Sequence, residues 1–245
     1  MKKVLIKSLF FFAPVLVLAI AGNYFINAIL NHTDYYKIGD DKKVLILGNS
    51  HTEAGLNDTI IEHSINLSQS GDSYFYNYYK MVKLIEANPK IETVVIIFSN
   101  NCFYIEMDKW IYDEQHIGYK FPKYSQLISL RDQSMLFCKN TGSYLVAFRD
   151  ALRTKFQYML KRPNNLFRKF EWGHYQGLAG SIELSKKDIR TKTGFYSDTS
   201  ISKIDLKYLS KIVYYCMSKN KKLLLVRTPM HATFVIDNEV ELQKM

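Results

Sequence analysis

Cross-linking chemistry is scarce in this chain. Only Cys102, Cys138 and Cys216 stand among 245 residues. That is too few for a disulfide-dense scaffold, and at most one pair can form. None lies in a Cys-x-x-Cys or Cys/His spacing, so a structural zinc site is not expected. The three read as small buried residues. Five Pro and 11 Gly exclude collagen-like and low-complexity architectures. Long apolar runs are also rare. Residues 8–30 are the one stretch long and uncharged enough to span a bilayer, which excludes a polytopic membrane protein. Acids are the minority charge, 23 against 33 Lys+Arg, giving a formal net charge of +10. There is no internal repeat. The remaining 47% of hydrophobic residues is enough to exclude wholesale disorder.

As a helix the uncharged segment 8–30 would be about 34 Å long, enough for a hydrocarbon core of about 30 Å. Lys2, Lys3 and Lys7 precede it and no acid does, so the N-terminus is expected in the cytoplasm and the rest across the membrane. Two readings share this segment. One is a retained anchor. The other is a cleaved signal peptide, for which Ala19-Ile20-Ala21 supplies a small-x-small site and Asn23 and Asn27 weaken the span. Both send residues 31–245 out of the cytoplasm, which disfavours nucleic acid as a partner. Removing the three lysines leaves net +7 over those residues, an ordinary length for one domain. Residues 31–42 read as a polar linker, and 43–245 as the domain.

Four short apolar runs predict strands: residues 43–47, 64–68, 91–98 and 222–227. The third is nearly continuous in β-branched residues, as in a parallel strand covered on both faces. Between them, Asp72 is expected to cap a helix running to about Ala87, with Tyr74, Phe75, Tyr78, Met81, Val82 and Ile85 at helical spacing. Residues 102–142 read as an irregular aromatic insertion containing Trp110, Tyr112, Tyr119, Phe121 and Tyr124. Helices are predicted over 143–161 and 202–219. The second should face inward with Ile204, Leu209, Ile212, Val213, Cys216 and Met217. Residues 163–200 form a long polar connection. The basic run from Arg149 to Lys169 reads as a solvated helix face or a surface for anions. This alternation implies an α/β fold with a mostly parallel sheet, whose ligands bind outside the carboxyl ends of the strands.

Each of those ends is small and polar: Gly48-Asn49-Ser50-His51, Ser68 to Asp72, Ser99-Asn100-Asn101, and Thr228-Pro229-Met230-His231. An acyl-transfer site needs a hydroxyl nucleophile and donors for a developing oxyanion. Ser50 offers the hydroxyl. The Gly71 N–H and the Asn100 side-chain amide offer the donors, and His231 is the best-placed base. No cofactor or metal is required.

In order and spacing these blocks resemble the SGNH (GDSL-type) hydrolase superfamily. Gly48-Asn49-Ser50 resembles its Gly-Asp-Ser turn with Asn for Asp. Asn66 to Gly71 resembles the second block. Phe98-Ser99-Asn100-Asn101 keeps the Asn of the third block and lacks its Gly and Asp. The resemblance covers residues 43–101 and, loosely, the fourth strand. It implies a flavodoxin-like (SGNH-type) sheet, with Ser50 as nucleophile and the N–H groups of Ser50 and Gly71 and the amide of Asn100 as oxyanion donors. It also implies an esterase or O-acyltransferase working on an acylated cell-surface or secreted carbohydrate. The family's closing Asp-x-x-His is not found after the fourth strand. The one literal match, Asp113-Glu114-Gln115-His116, lies inside the insertion. Asn238 to Glu241 reads as a capping box with four residues after it, so the expectation is a member missing its last βα unit. The alternative function is a non-catalytic carbohydrate- or surface-binding module on the same sheet.

Overall fold

The computed structural model describes residues 34–99, 102–161 (side chains of 155–161 excepted), 172–177 and 200–228, with scattered positions between 10 and 29. The expected span 8–30 lies mostly outside the described residues. Among the described residues no helix is long and apolar enough to cross a membrane.

The four strands form where the β-branched and Leu-rich runs end in turn residues. They are β1 Val44–Leu47, β2 Ser64–Asn66, β3 Thr93–Ile97 and β4 Lys222–Val226. They pair in the order β2-β1-β3-β4, all parallel, an order consistent with a flavodoxin-like sheet. The register sets Leu45 opposite Ile65 and Val94, and Val94 opposite Leu223. The helices are α1 Ser50–Gly55, α2 Tyr74–Ala87, α3 Lys109–Tyr112, α4 Glu114–Tyr124, α5 Leu130–Lys139, α6 Thr141–Lys161 and α7 Lys203–Ser218. The chain is thus an α/β fold, a parallel sheet flanked by helices, as its alternating pattern implied. The β2-to-β3 and β3-to-β4 crossovers advance in the same direction. Right-handed connections therefore set α2 and α7 on one face, where they pack together.

The core lies between that face and the two helices. Leu45, Leu47, Val94 and Ile96 meet Phe75, Met81, Leu84, Tyr208 and Ile212, all fully buried. Helix α2 is buried on nearly every side because α4 contacts it as well. Its three buried tyrosines satisfy their hydroxyls inside the protein, as buried phenols must. Tyr74 donates to the Ile97 carbonyl and Tyr76 to the Ile111 carbonyl, each at 2.7 Å. Tyr79 donates to Asp132 on α5.

Three expectations are corrected. First, Asp72 does not cap α2. Ser73 flanks the helix without a side-chain cap bond, and the Asp72 carboxylate is taken up by two lysines. Second, the insertion over 102–142 is largely helical. Asp113 and Ser129 cap α4 and α5 through their side chains. Ile117, Phe121 and Tyr124 fall at helical spacing and are fully buried. Pro122 sits in the last turn of α4, where it ends the helix without breaking its packing. Third, the buried stripe of α7 is Asp205, Tyr208, Ile212 and Cys216, while Met217 is 74% exposed. The stripe is turned because Asp205 points inward. Its Oδ1 accepts the Tyr74 N–H at 3.2 Å, and Ser202, the N-cap, accepts the Asp205 N–H at 2.9 Å. Strand β4 forms the outer border of the described sheet, with Leu224 39% and Leu225 45% exposed.

The inward turn of Asp205 has a measurable cost. Burial, with the nearby charge of Asp108, pushes its carboxyl up to about 7, and its Oδ2 meets no partner among the described residues. The folded state then keeps a proton that the unfolded chain releases near pH 4. Stability is therefore expected to fall as pH rises from about 4 to about 7, by about 4 kcal/mol for this group. Urea unfolding across that range should show the decline, and Asp205→Asn should flatten it. An unchanged slope in the variant would contradict the assignment.

Candidate functional site

Strand β1 stops at Gly48, where any side chain collides. A β-carbon there would lie 2.2 Å from Thr52 Oγ1 and 3.0 Å from Ile97 Cγ2, so only glycine lets the chain turn this tightly over β3. Asn49 then caps α1. Its Oδ1 accepts the His51 N–H at 3.0 Å. Its Nδ2 reaches Cys102 Sγ at 3.5 Å, and its carbonyl accepts from Thr52 Oγ1 at 3.0 Å. Because Asn49 does the capping, Ser50 is free of that duty. It is the first helical residue, and its side chain is exposed to solvent. His51 is half-buried, and burial pushes its imidazole below the ordinary histidine range.

The turn after β2 is tied to this one at two points. The Gln69 N–H donates to the Gly48 carbonyl at 3.1 Å, extending the parallel ladder past both strands. Glu53, one helical turn after Ser50 and buried, accepts the Ser70 N–H at 2.8 Å and the Ser70 hydroxyl as well. The Glu53 carbonyl also accepts the Gln176 N–H at 2.9 Å, which brings residues 172–177 alongside. Sequence reasoning passed over Glu53, although its spacing of three from Ser50 places both on one helix face.

Gly71 follows at φ +74, buried under the insertion. A β-carbon there would stand 2.7 Å from the Tyr119 hydroxyl and 3.3 Å from Trp110 Cε3. Beneath it Asp72 is fully buried. Lys80 Nζ donates to Asp72 Oδ2 at 2.7 Å, to the Leu67 carbonyl at 2.8 Å and to the Trp172 carbonyl at 2.9 Å. Lys120 Nζ donates to Asp72 Oδ1 and to the Ser70 carbonyl at 2.8 Å. Tyr124 donates to Asp72 Oδ2 at 2.7 Å. Burial alone pushes the Asp72 carboxyl up, but Lys120 and Lys80 outweigh it and hold it at about 2. Burial pushes the Lys80 ammonium down against the pull of Asp72. The stabilisation that Asp72 gains over its unfolded form is complete above about pH 4. It is lost as pH falls toward 2, an amount of about 2 kcal/mol.

The structure thus holds the turns that carry Ser50 and Gly71 side by side through hydrogen bonds, with Ser50 exposed and Gly71 buried. Asn100 and His231 lie outside the described residues. Among the described residues no group of three or more His, Cys, Asp or Glu could hold a metal ion. Cys102 and Cys216 are buried and in no disulfide, whereas Cys138, expected to be buried, is exposed; burial pushes the Cys102 and Cys216 thiols up to about 11, so neither is a ready nucleophile. No family model, curated protein or solved structure matches this chain.

Replacing Gly71 tests the turn. Gly71→Ala is expected to destabilise the protein by about 1–2 kcal/mol, the cost of a left-handed backbone with a side chain. Tyr119 is 48% exposed and its hydroxyl can swing away. Adding Tyr119→Phe should therefore restore little. Full recovery in the double variant, measured by chemical denaturation, would show that contact rather than backbone sets the requirement.

Proposed function

We propose that this chain is a membrane-anchored, extracytoplasmic esterase or O-acyltransferase of SGNH type acting on an acylated carbohydrate. The observation that carries the reading is Ser50. Its hydroxyl is exposed at the carboxyl end of β1 and relieved of capping by Asn49. It stands beside a second turn that supplies Gly71. In the reaction, Ser50 Oγ attacks the ester carbonyl carbon. The negative charge that develops on the carbonyl oxygen is met by donors such as the Gly71 N–H and the Asn100 amide. A histidine takes the hydroxyl proton and returns it to the leaving alcohol, because an unassisted serine is undissociated near neutral pH. His231 is the candidate from the fourth loop. The acyl group then passes to water or to another hydroxyl. No cofactor takes part in these steps. The uncharged segment 8–30 would hold the domain at the membrane.

A second reading is favoured by one specific observation. Trp110 and Tyr119 crowd the Gly71 turn, and aromatic faces at a rim suit the apolar faces of sugar rings. On this reading the same rim binds an acylated or plain carbohydrate without turning it over.

A fluorophosphonate probe separates the two. The enzyme reading expects covalent labelling of the full chain that disappears in Ser50→Ala, with thermal unfolding of the variant within a few degrees of wild type. A folded wild type that takes no label, while binding carbohydrate, supports the binding module.

A further inference from the structure

Helix α2 carries a second feature, away from the Ser50 turn. A cavity of about 210 Å³ opens between its later turns, the residues before β1 and the loop after α4. Tyr36, Tyr78 and Tyr79 line it together with Lys83, Glu86 and Gln126. At 1.5 Å per residue, Glu86 lies about 18 Å along the helix from its first residue, so the cavity is a separate place from the turns at Ser50 and Gly71. Its walls are fixed by the fold. Asn88 Nδ2 donates to the Tyr36 carbonyl at 2.8 Å, and Asn88 Oδ1 accepts the Ile38 N–H at 3.1 Å. These bonds hold the segment before β1 on the end of α2. The Tyr36 ring packs on Trp172 with centroids 5.8 Å apart. The Tyr79 hydroxyl is held by Asp132 and by Ser129 Oγ at 3.1 Å, and the Tyr78 ring stands at 71° to the Tyr79 ring, 5.2 Å away.

The lining selects the class of ligand. Tyrosine walls suit either a cation or the apolar face of a sugar ring. Here the protein's own ammoniums already face the rings. Lys83 Nζ lies 4.9 Å from the Tyr36 ring centroid, and Lys211 Nζ lies 5.1 Å from that of Tyr78. A second cation would be repelled by both. An anion would meet Glu86, which is exposed. A neutral ring bearing hydroxyls avoids both costs. Glu86 accepts hydrogen bonds, Lys83 donates them and the Gln126 amide does both, which is the mixture that sugar hydroxyls need. Gln126 Oε1 is buried with no hydrogen-bond partner among the described residues. A hydroxyl that met it after a small rotation of the amide would supply a donor that the fold does not. The volume holds one sugar ring, below the roughly 300–1,000 Å³ of sites for larger organic ligands. We infer that this cavity binds a single neutral sugar residue, at a site separate from the Ser50 turn. The inference goes beyond the acyl-transfer reading and stands whether or not Ser50 is a nucleophile.

The test is an NMR titration of the full chain, its tyrosine and tryptophan rings labelled with carbon-13, by glucose and by N-acetylglucosamine. Saturable shifts of the Tyr36 and Tyr78 ring signals are expected in the millimolar range, with at least one of the two sugars. Glu86→Gln removes a charged acceptor from an exposed position and should weaken binding about 10-fold. Val82→Trp places an indole in the cavity, which Val82 also lines, and should abolish the shifts. If that variant unfolds, Lys83→Met takes its place and should weaken binding by a similar factor to Glu86→Gln. Wild-type affinity in both Glu86→Gln and the second variant would overturn the site. So would the absence of any shift with either sugar, or binding of tetramethylammonium in their place. Sugar-induced shifts confined to Trp110 and Tyr119 would overturn it as well, and would move carbohydrate binding to the Gly71 turn, in support of the second reading above.

Discussion

A single buried carboxylate fastens the insertion to the carboxyl end of the sheet. Asp72 lies out of water between Lys80 of α2 and Lys120 of α4, with Tyr124 as a third donor. Two ammoniums face this one carboxylate, and the buried Glu53 carboxylate lies near enough to act on Lys80. The Leu67, Ser70 and Trp172 carbonyls accept three further N–H groups of the two lysines. Buried ion clusters of this kind contribute more to uniqueness of arrangement than to net stability, since desolvation offsets much of the attraction. What the cluster specifies here is position. It joins the turn after β2, the middle of α2, the insertion and the segment at Trp172 at one point next to Gly71.

From that point the rim is assembled outward. The Ser70 carbonyl is held from below by Lys120, while its N–H and hydroxyl are held from the side by Glu53. The turn is thus clamped between the insertion and the helix that begins with Ser50. Asn49 performs the local capping, and its buried side chain ties the same helix start to Cys102 beyond β3. Polar residues that read individually as turn formers are collectively a scaffold for one exposed hydroxyl. The aromatic layer follows the same logic. Tyr119 reaches the Gly71 turn because α4 is pinned there by Lys120, and Trp110 of α3 lies against the same turn and stacks on His116.

The sheet was legible because its strands are short β-branched or leucine runs ended by Gly48 and other small polar turns, signals that act locally. The helix over 203–218 was legible by its period, but its buried face was misjudged. An apolar ranking puts Met217 inside and Asp205 outside, whereas hydrogen bonds to Tyr74 and Ser202 reverse them. Asp72 was misread for the same reason. Its partners stand 8 and 48 residues away, and no local pattern distinguishes a carboxylate that caps from one that pairs. The helices of the insertion were hidden by Pro122 and by the density of aromatics, which read as a lid. Ser50 and Gly71 were singled out from their places after the first two strands, and the structure sets the turns that carry them side by side. Glu53 was missed because its value lies in a contact across two turns.

The account depends on the insertion being fastened to the β2 turn through Asp72. The most direct measurement is a double-mutant cycle in urea between Asp72→Asn and Lys120→Met. A clamp of this kind predicts a favourable coupling of about 2 kcal/mol, near the upper part of the range for directly contacting groups. A coupling below about 0.5 kcal/mol, the level expected of a solvated surface pair, would contradict it.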